Sequence, residues 1–166
     1  LKEQLMEEDA ENLSRILIEG VEMVKDNLTK YLSKDWFAMR PMHNLLFTRD
    51  ASMSINNEVL IGRMANAIRD RESVIMRSIF DFTPEFKTST LSLPATPGAT
   101  SRIQTIEGGD VLVAREDILV IGNGARTSTQ AIDLLMYEFI RRKSEKTQHI
   151  IVQQLSLIHI SEPTRQ

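Results

Sequence analysis

The strongest constraint on this chain is an order of elements that appears twice. Leu45-Leu46-Phe47-Thr48 reads as a short buried strand, and Ser54-Ile55 and Val59-Leu60-Ile61 flank Asn56-Asn57, a pair suited to a tight hairpin turn. Residues 64 to 80 then place Met64, Ile68, Ile75, Ile79 and Phe80 at apolar positions of a helix, which Pro84 ends. A Pro-, Thr- and Ala-rich stretch from Ser92 to Ser101 is predicted as a surface loop. The order then returns: a strand over Arg102 to Glu107, a turn at Gly108-Gly109, and a hairpin of Val111 to Ala114 and Ile118 to Ile121. A helix over 127 to 143 and a strand from His149 to Leu155 complete it. The copies share little residue identity, so the repetition lies in the pattern, and it predicts an α/β fold built from two ββαβ-like units.

Residues 2 to about 33 differ in character. Leu13, Ile16, Leu17, Val21, Val24, Leu28 and Leu32 recur at helical spacing with charges between them, as expected of a core-facing stripe. Gly20 divides the run, which predicts a helical pair rather than one rod, and Pro41 closes it. At the other end, Ser156 to Gln166 continues no preceding pattern and resembles translated sequencing-adapter read-through. It is expected to be a non-native or disordered tail that packs against nothing. The opening Leu1, in place of Met, points to a natural start further upstream.

Composition narrows the function classes. A net charge of −3 leaves no basic excess for a nucleic-acid surface. No apolar run approaches the ~20 residues of a membrane span, and Leu1-Lys2-Glu3-Gln4 does not open a signal peptide. With no cysteine there is no disulfide framework, and a cytoplasmic address is expected. No metal or cofactor is called for.

Three constellations carry chemistry. In Asn44-Leu45-Leu46-Phe47-Thr48-Arg49-Asp50, a strand would deliver a carboxylate to its own end; on composition alone, Arg49 and Asp50 are a solvated pair. In Ile106-Glu107-Gly108-Gly109-Asp110, two glycines between carboxylates permit positive φ and close approach of another group; alone, this is a hairpin turn. Gly122-Asn123-Gly124-Ala125-Arg126-Thr127 lies between a strand and a helix and invites a dinucleotide reading, but Thr127 stands where the third glycine is required. It is better read as a turn that presents Arg126 and caps the next helix.

Together the segments 41–50, Arg69-Asp70-Arg71-Glu72, 106–110 and 121–132 resemble arginine deiminase in order and approximate spacing. That resemblance implies a partial five-fold α/β propeller (the pentein-like fold): residues 1–40 from its helical insert, 41–155 about two blades, and 156–166 outside it. It implies hydrolysis of L-arginine to L-citrulline and ammonia, and a homo-oligomer for the full-length protein. Residue by residue, Asp50 and Glu107 match the carboxylates that hold the guanidinium, and Phe47 the aromatic group beside it. Asn44, Arg69 and Arg126 match positions binding the α-carboxylate. Paired carboxylates suit a planar cation with five fixed donors. Asp50 and Glu107 are therefore expected in one pocket, with a raised pKa or a neighbouring cation relieving their repulsion, and Arg69 or Arg126 a substrate length away.

In the family a cysteine thiolate attacks the guanidinium carbon and a histidine of an H-x-D segment serves as acid and base. This chain has no cysteine, so no activity is expected of it alone. His159 imitates the H-x-D segment, but Ser161 replaces the aspartate; His149 is expected to be structural and His43 has no assigned role. The alternatives are an amidinotransferase, a citrulline-forming enzyme acting on methylated arginine, or a non-catalytic nucleotide-binding module at Gly122-Asn123-Gly124.

Overall fold

The computed structural model describes residues 2–94, 103–142, 146–147 and 149–155. The chain divides into two compact units, Leu1–Leu46 and Phe47–Gln166.

In the first unit, α1 (Lys2–Glu7) precedes α2 (Ala10–Glu19), whose N-terminus is capped by Asp9 accepting from the Asn12 amide at 2.9 Å. Gly20 ends α2 at φ +86°, and a Cβ there would lie 2.5 Å from the Met39 carbonyl oxygen, so only glycine fits. The next element is not the second helix of the predicted pair. Gly20 leads into β1 (Val21–Glu22), antiparallel to β2 (Phe37–Met39), with the short α3 (Asn27–Leu32) between them. Leu13, Ile16, Leu17 and Val21 are half-buried, while Val24, Leu28 and Leu32 are exposed, so the predicted core stripe does not extend past Val21. A six-residue helix is less than two turns long and has no continuous face to bury.

The second unit holds the repeat. Its first half runs through α4 (Thr48–Ala51), β3 (Ser52–Ile55), β4 (Glu58–Ile61), α5 (Asp70–Phe82) and β5 (Ser89–Ser92). The second half adds β6 (Val111–Arg115), β7 (Ile118–Asn123), α6 (Thr129–Arg141) and β8 (His149–Gln154). Both halves form a three-stranded sheet, in order β3-β4-β5 and β6-β7-β8, with an antiparallel hairpin followed by a parallel third strand. Each helix is the crossover that a parallel pair requires. The fold is α/β, and neither sheet closes on itself. Met53, Leu60, Leu91, Ile106, Leu119 and Leu135 belong to one buried cluster, so the two halves share a core. No helix among the described residues is long and apolar enough to cross a membrane.

Several boundaries differ from the sequence pattern. Residues 45–48 are not a strand: a turn leads into α4, and Leu46 and Phe47 are exposed. The strand begins at Ser52 because the hairpin register, fixed by Asn56 at φ +56°, pairs Ser52 with Ile61. Residues 103–107 make only an isolated bridge, Ile106 with Arg63, while Arg102 lies outside the described residues. α5 starts at Asp70; the preceding residues 67–69 form a 3-10 turn, and Met64 is a core residue ahead of it. The predicted loop from Ser92 lies from residue 95 to 101 outside the described residues, and β5 just before it went unpredicted. Its only apolar residue is Leu91, too little for a periodic signal. Residues 156–166 also lie outside the described residues.

Candidate functional site

Asp50 and Glu107 are brought together by a junction made mostly of backbone. Asp50 sits on the last turn of α4, ahead of the first hairpin; Glu107 precedes the 3-10 turn Gly108–Asp110, ahead of the second. Arg49 ties the two turns, donating from Nη2 to the Val111 carbonyl (2.6 Å) and from Nε to that of Gly108 (3.2 Å). The Gly109 amide donates to Asp50 Oδ1 at 3.1 Å. A Cβ on Gly108 would fall 1.9 Å from the Arg49 carbonyl oxygen, and one on Gly109 2.8 Å from Asp50 Oδ1. The glycines therefore serve close approach. The positive φ expected of them is absent, since Gly20 is the only glycine with positive φ among the described residues.

One guanidinium nitrogen joins the two carboxylates. Arg69 Nη1 lies 2.9 Å from Asp50 Oδ2 and 3.6 Å from Glu107 Oε2. The other edge of the same guanidinium grips Glu72: Nη2 is 2.8 Å from Oε2 and Nε is 3.1 Å from both oxygens. Glu72 is almost wholly buried on α5. Burial disfavours the charge on Arg69, but the hydrogen bonds and charges of Glu72 and Asp50 outweigh it and raise its pKa. The expected cation between the carboxylates is thus Arg69 itself. A substrate-length separation between Arg69 and the carboxylates is not what the structure has. An arginine in a partly dry pocket pairs with the carboxylates within reach, here Glu72 and Asp50.

Glu107 is the more unusual acid. Its Oε1 accepts from the Ala65 amide at 3.0 Å, while Oε2 is buried without a hydrogen-bond donor. Burial raises its pKa and Asp50 adds to the rise, against the Ala65 amide, Arg69 and Arg126. Burial, rather than the repulsion of a carboxylate pair, is the chief cause of the rise.

Arg126 follows β7 and is half exposed, with Nη2 2.9 Å from Asp110 Oδ1 and Nε 4.0 Å from Glu107 Oε2. Asp110 also accepts from the wholly buried Thr127 hydroxyl (2.9 Å), which in turn accepts from the Glu107 amide (3.2 Å). Asp110, Glu72, Thr127 and Arg49 were missed as site-building residues. The repeat contains a signal for one of them: Asp50 and Asp110 each precede the first hairpin strand of their half, and each pairs with the arginine ahead of that half's helix. Thr127→Val should remove two buried hydrogen bonds and strand two polar partners, lowering stability by about 2 kcal/mol in a urea titration. A loss below a few tenths of that would show the hydroxyl to be dispensable.

Of the remaining candidates, Phe47 is exposed at the start of α4, and Asn44 is exposed at the end of the first compact unit. His43 is exposed in the same turn, and His149 opens β8. At Gly122-Asn123-Gly124 there is no phosphate cradle. Gly122 belongs to β7 of a mixed sheet, and a Cβ on it would meet Leu155 Cδ1 at 2.5 Å. Nor does this turn cap α6: the Ser128 hydroxyl does so, accepting from the Ala131 amide at 3.2 Å. No group of acids and histidines among the described residues is arranged to hold a metal ion.

The arginine deiminase family model matches residues 4–159, nearly the whole sequence. The chain belongs to the arginine deiminase family. An arginine deiminase of Borrelia garinii is 31% identical over 154 residues, covering 87% of this chain and 36% of that protein. One of Listeria monocytogenes is 31% identical over 158 residues, covering 91% and 38%. The chain thus spans little more than a third of these deiminase-family relatives. Among solved structures, a dimethylarginine dimethylaminohydrolase from Pseudomonas aeruginosa has a TM-score of 0.51 at 20% identity, covering 86% of this chain and 58% of its own. That likeness is one of fold alone, and the fold is α/β.

Proposed function

We propose that this chain is the guanidinium- and carboxylate-recognising part of an arginine deiminase, a hydrolase that converts L-arginine and water to L-citrulline and ammonia. The observation that carries the reading is the buried Glu107 Oε2, which lacks a donor while sharing a guanidinium nitrogen with Asp50. A substrate guanidinium would supply that donor, gripped by Asp50 and Glu107 with Phe47 alongside. Arg69 and Arg126 would hold the α-carboxylate. The two ββαβ units would be two blades of a five-bladed propeller, and the nucleophilic cysteine and the histidine would come from residues beyond these 166.

Calorimetric titration of the purified chain tests this. L-arginine should bind and NADH should not; heat from NADH with none from arginine would favour a nucleotide module instead. The chain should also form no citrulline, because it has no thiol to attack the guanidinium carbon. Citrulline above the buffer background in a colorimetric assay would sink the thiolate mechanism.

A further inference from the structure

We propose that Arg63 is a positioning residue that fixes where Glu107 presents its carboxylate to Asp50. The inference rests on the reading of those two acids as guanidinium ligands, and it adds the side chain that keeps one of them in register.

Three stretches of chain converge at Arg63. Its amide donates to the Ile106 carbonyl and its carbonyl accepts from the Ile106 amide, both at 2.9 Å, which forms an isolated β-bridge. Two residues on, the Ala65 amide donates to Glu107 Oε1 at 3.0 Å. The Arg63 side chain adds two further ties: Nη1 donates to Gln104 Oε1 (2.8 Å) and Nη2 to the Leu93 carbonyl (2.7 Å). One guanidinium thus joins the chain leaving β5 to the chain approaching Glu107.

The bridge alone is a weak guide. A single residue pair has no neighbouring rung to hold its register. Ile106 is wholly buried, but apolar burial is non-directional and does not say which residue faces which. Directional contacts fix the segment on both sides of the bridge. The Thr127 hydroxyl accepts from the Glu107 amide on one side (3.2 Å), and Arg63 grips Gln104 on the other. The use of a cation here is informative. Arg63 is half-buried, its partners are neutral, and it makes no ion pair among the described residues. Burial alone lowers its pKa. An apolar side chain would fill the space without desolvating a charge, but only a planar fork with donors on both edges can bridge two separate segments.

Nuclear magnetic resonance titration of the Glu107 carboxyl carbon tests the inference, run on the 166-residue chain and on Arg63→Met beside arginine calorimetry of both. In Arg63→Met the loosened segment should admit water to Glu107, so its pKa should fall towards the ordinary value of about 4.3. Arginine affinity should drop about tenfold, as for loosening one hydrogen bond to a charged group. Lost charge alone predicts the opposite sign, because removing a cation raises a carboxyl pKa. A rise would make Arg63 a through-space partner and overturn the positioning role. A lower melting temperature with the Glu107 titration unchanged would make it merely structural, and would overturn the role as well. If wild type binds no arginine while the titration shifts as expected, the guanidinium reading fails and the positioning of Glu107 stands. Should Arg63→Met not fold, Gln104→Leu removes the acceptor on the Glu107 side and keeps the charge of Arg63. There a fall in the Glu107 pKa supports the inference and an unchanged value sinks it.

Discussion

Glu107→Gln is expected to abolish arginine binding while leaving the fold as stable as wild type or more so at neutral pH. Replacing one partner of a desolvated ionic contact costs roughly 2–5 kcal/mol, so affinity should fall by at least about 30-fold. Stability should move the other way. Glu107 has its pKa raised in the folded chain, chiefly by burial, so ionising it opposes folding. The folded state holds that proton more tightly than the unfolded chain. Stability from this group is therefore greatest below the unfolded carboxyl pKa and declines as pH rises through it towards the raised folded value. Glutamine never ionises and can still accept from the Ala65 amide. The advantage of the variant should shrink as pH falls towards about 4, where the wild-type acid is protonated as well. Parallel urea titrations at pH 7 and pH 4 measure this. A variant much less stable than wild type at pH 7 would mean that the charge of Glu107 holds the fold together and is not kept for a ligand.

Gly108→Ala should have the largest effect on stability of any single methyl addition in the second unit. The new carbon would sit 1.9 Å from the Arg49 carbonyl oxygen and 3.2 Å from Met53 Cβ. The first of these is a main-chain atom and cannot rotate aside, so α4 and the 3-10 turn have to separate. Overpacking of a side-chain core costs about 1–3 kcal/mol; a clash of backbone with backbone should exceed that range and lower the unfolding midpoint by well over 10 °C. Gly109→Ala is the control, because the atoms nearest its added carbon belong to the Asp50 and Arg126 side chains, which can move. It should lose arginine affinity with a smaller loss of stability. If the two variants melt alike, backbone contact at Gly108 is not what sets the junction.

The element order of the second unit was legible because it depends on local chemistry. Asn56-Asn57 needed one residue at positive φ, and the apolar spacing of 127–143 needed one buried helix face. What failed were segments whose state depends on partners elsewhere. Leu45-Leu46-Phe47-Thr48 has the composition of a buried strand, but it pairs with no strand among the described residues and Leu46 remains exposed. Arg102 to Glu107 has the pattern of a strand, and among its described residues only Ile106 finds a β-partner, Arg63. The motifs led us to expect Asp50 and Glu107 at strand ends; Asp50 instead sits on the last turn of α4, and Glu107 in extended backbone just ahead of a 3-10 turn. Glu72, Asp110 and Thr127 stood in the quoted motifs without an assigned task, because their roles are to hold other side chains.

The junction that positions the two carboxylates has a bearing on how freely such a sequence can change. Its ties run largely to main-chain groups: the Gly109 amide to Asp50, the Ala65 amide to Glu107, and the carbonyls of Gly108 and Val111 to Arg49. Those groups are identical whatever side chain the residue carries, so Ala65 and Val111 can be exchanged for residues of similar bulk without disturbing the spacing of the acids. Only the two glycines, the acids and the arginines need to keep their identity. Substitution can therefore accumulate in the surrounding layers while the distance between two charges, the quantity that selects a ligand, stays where it is.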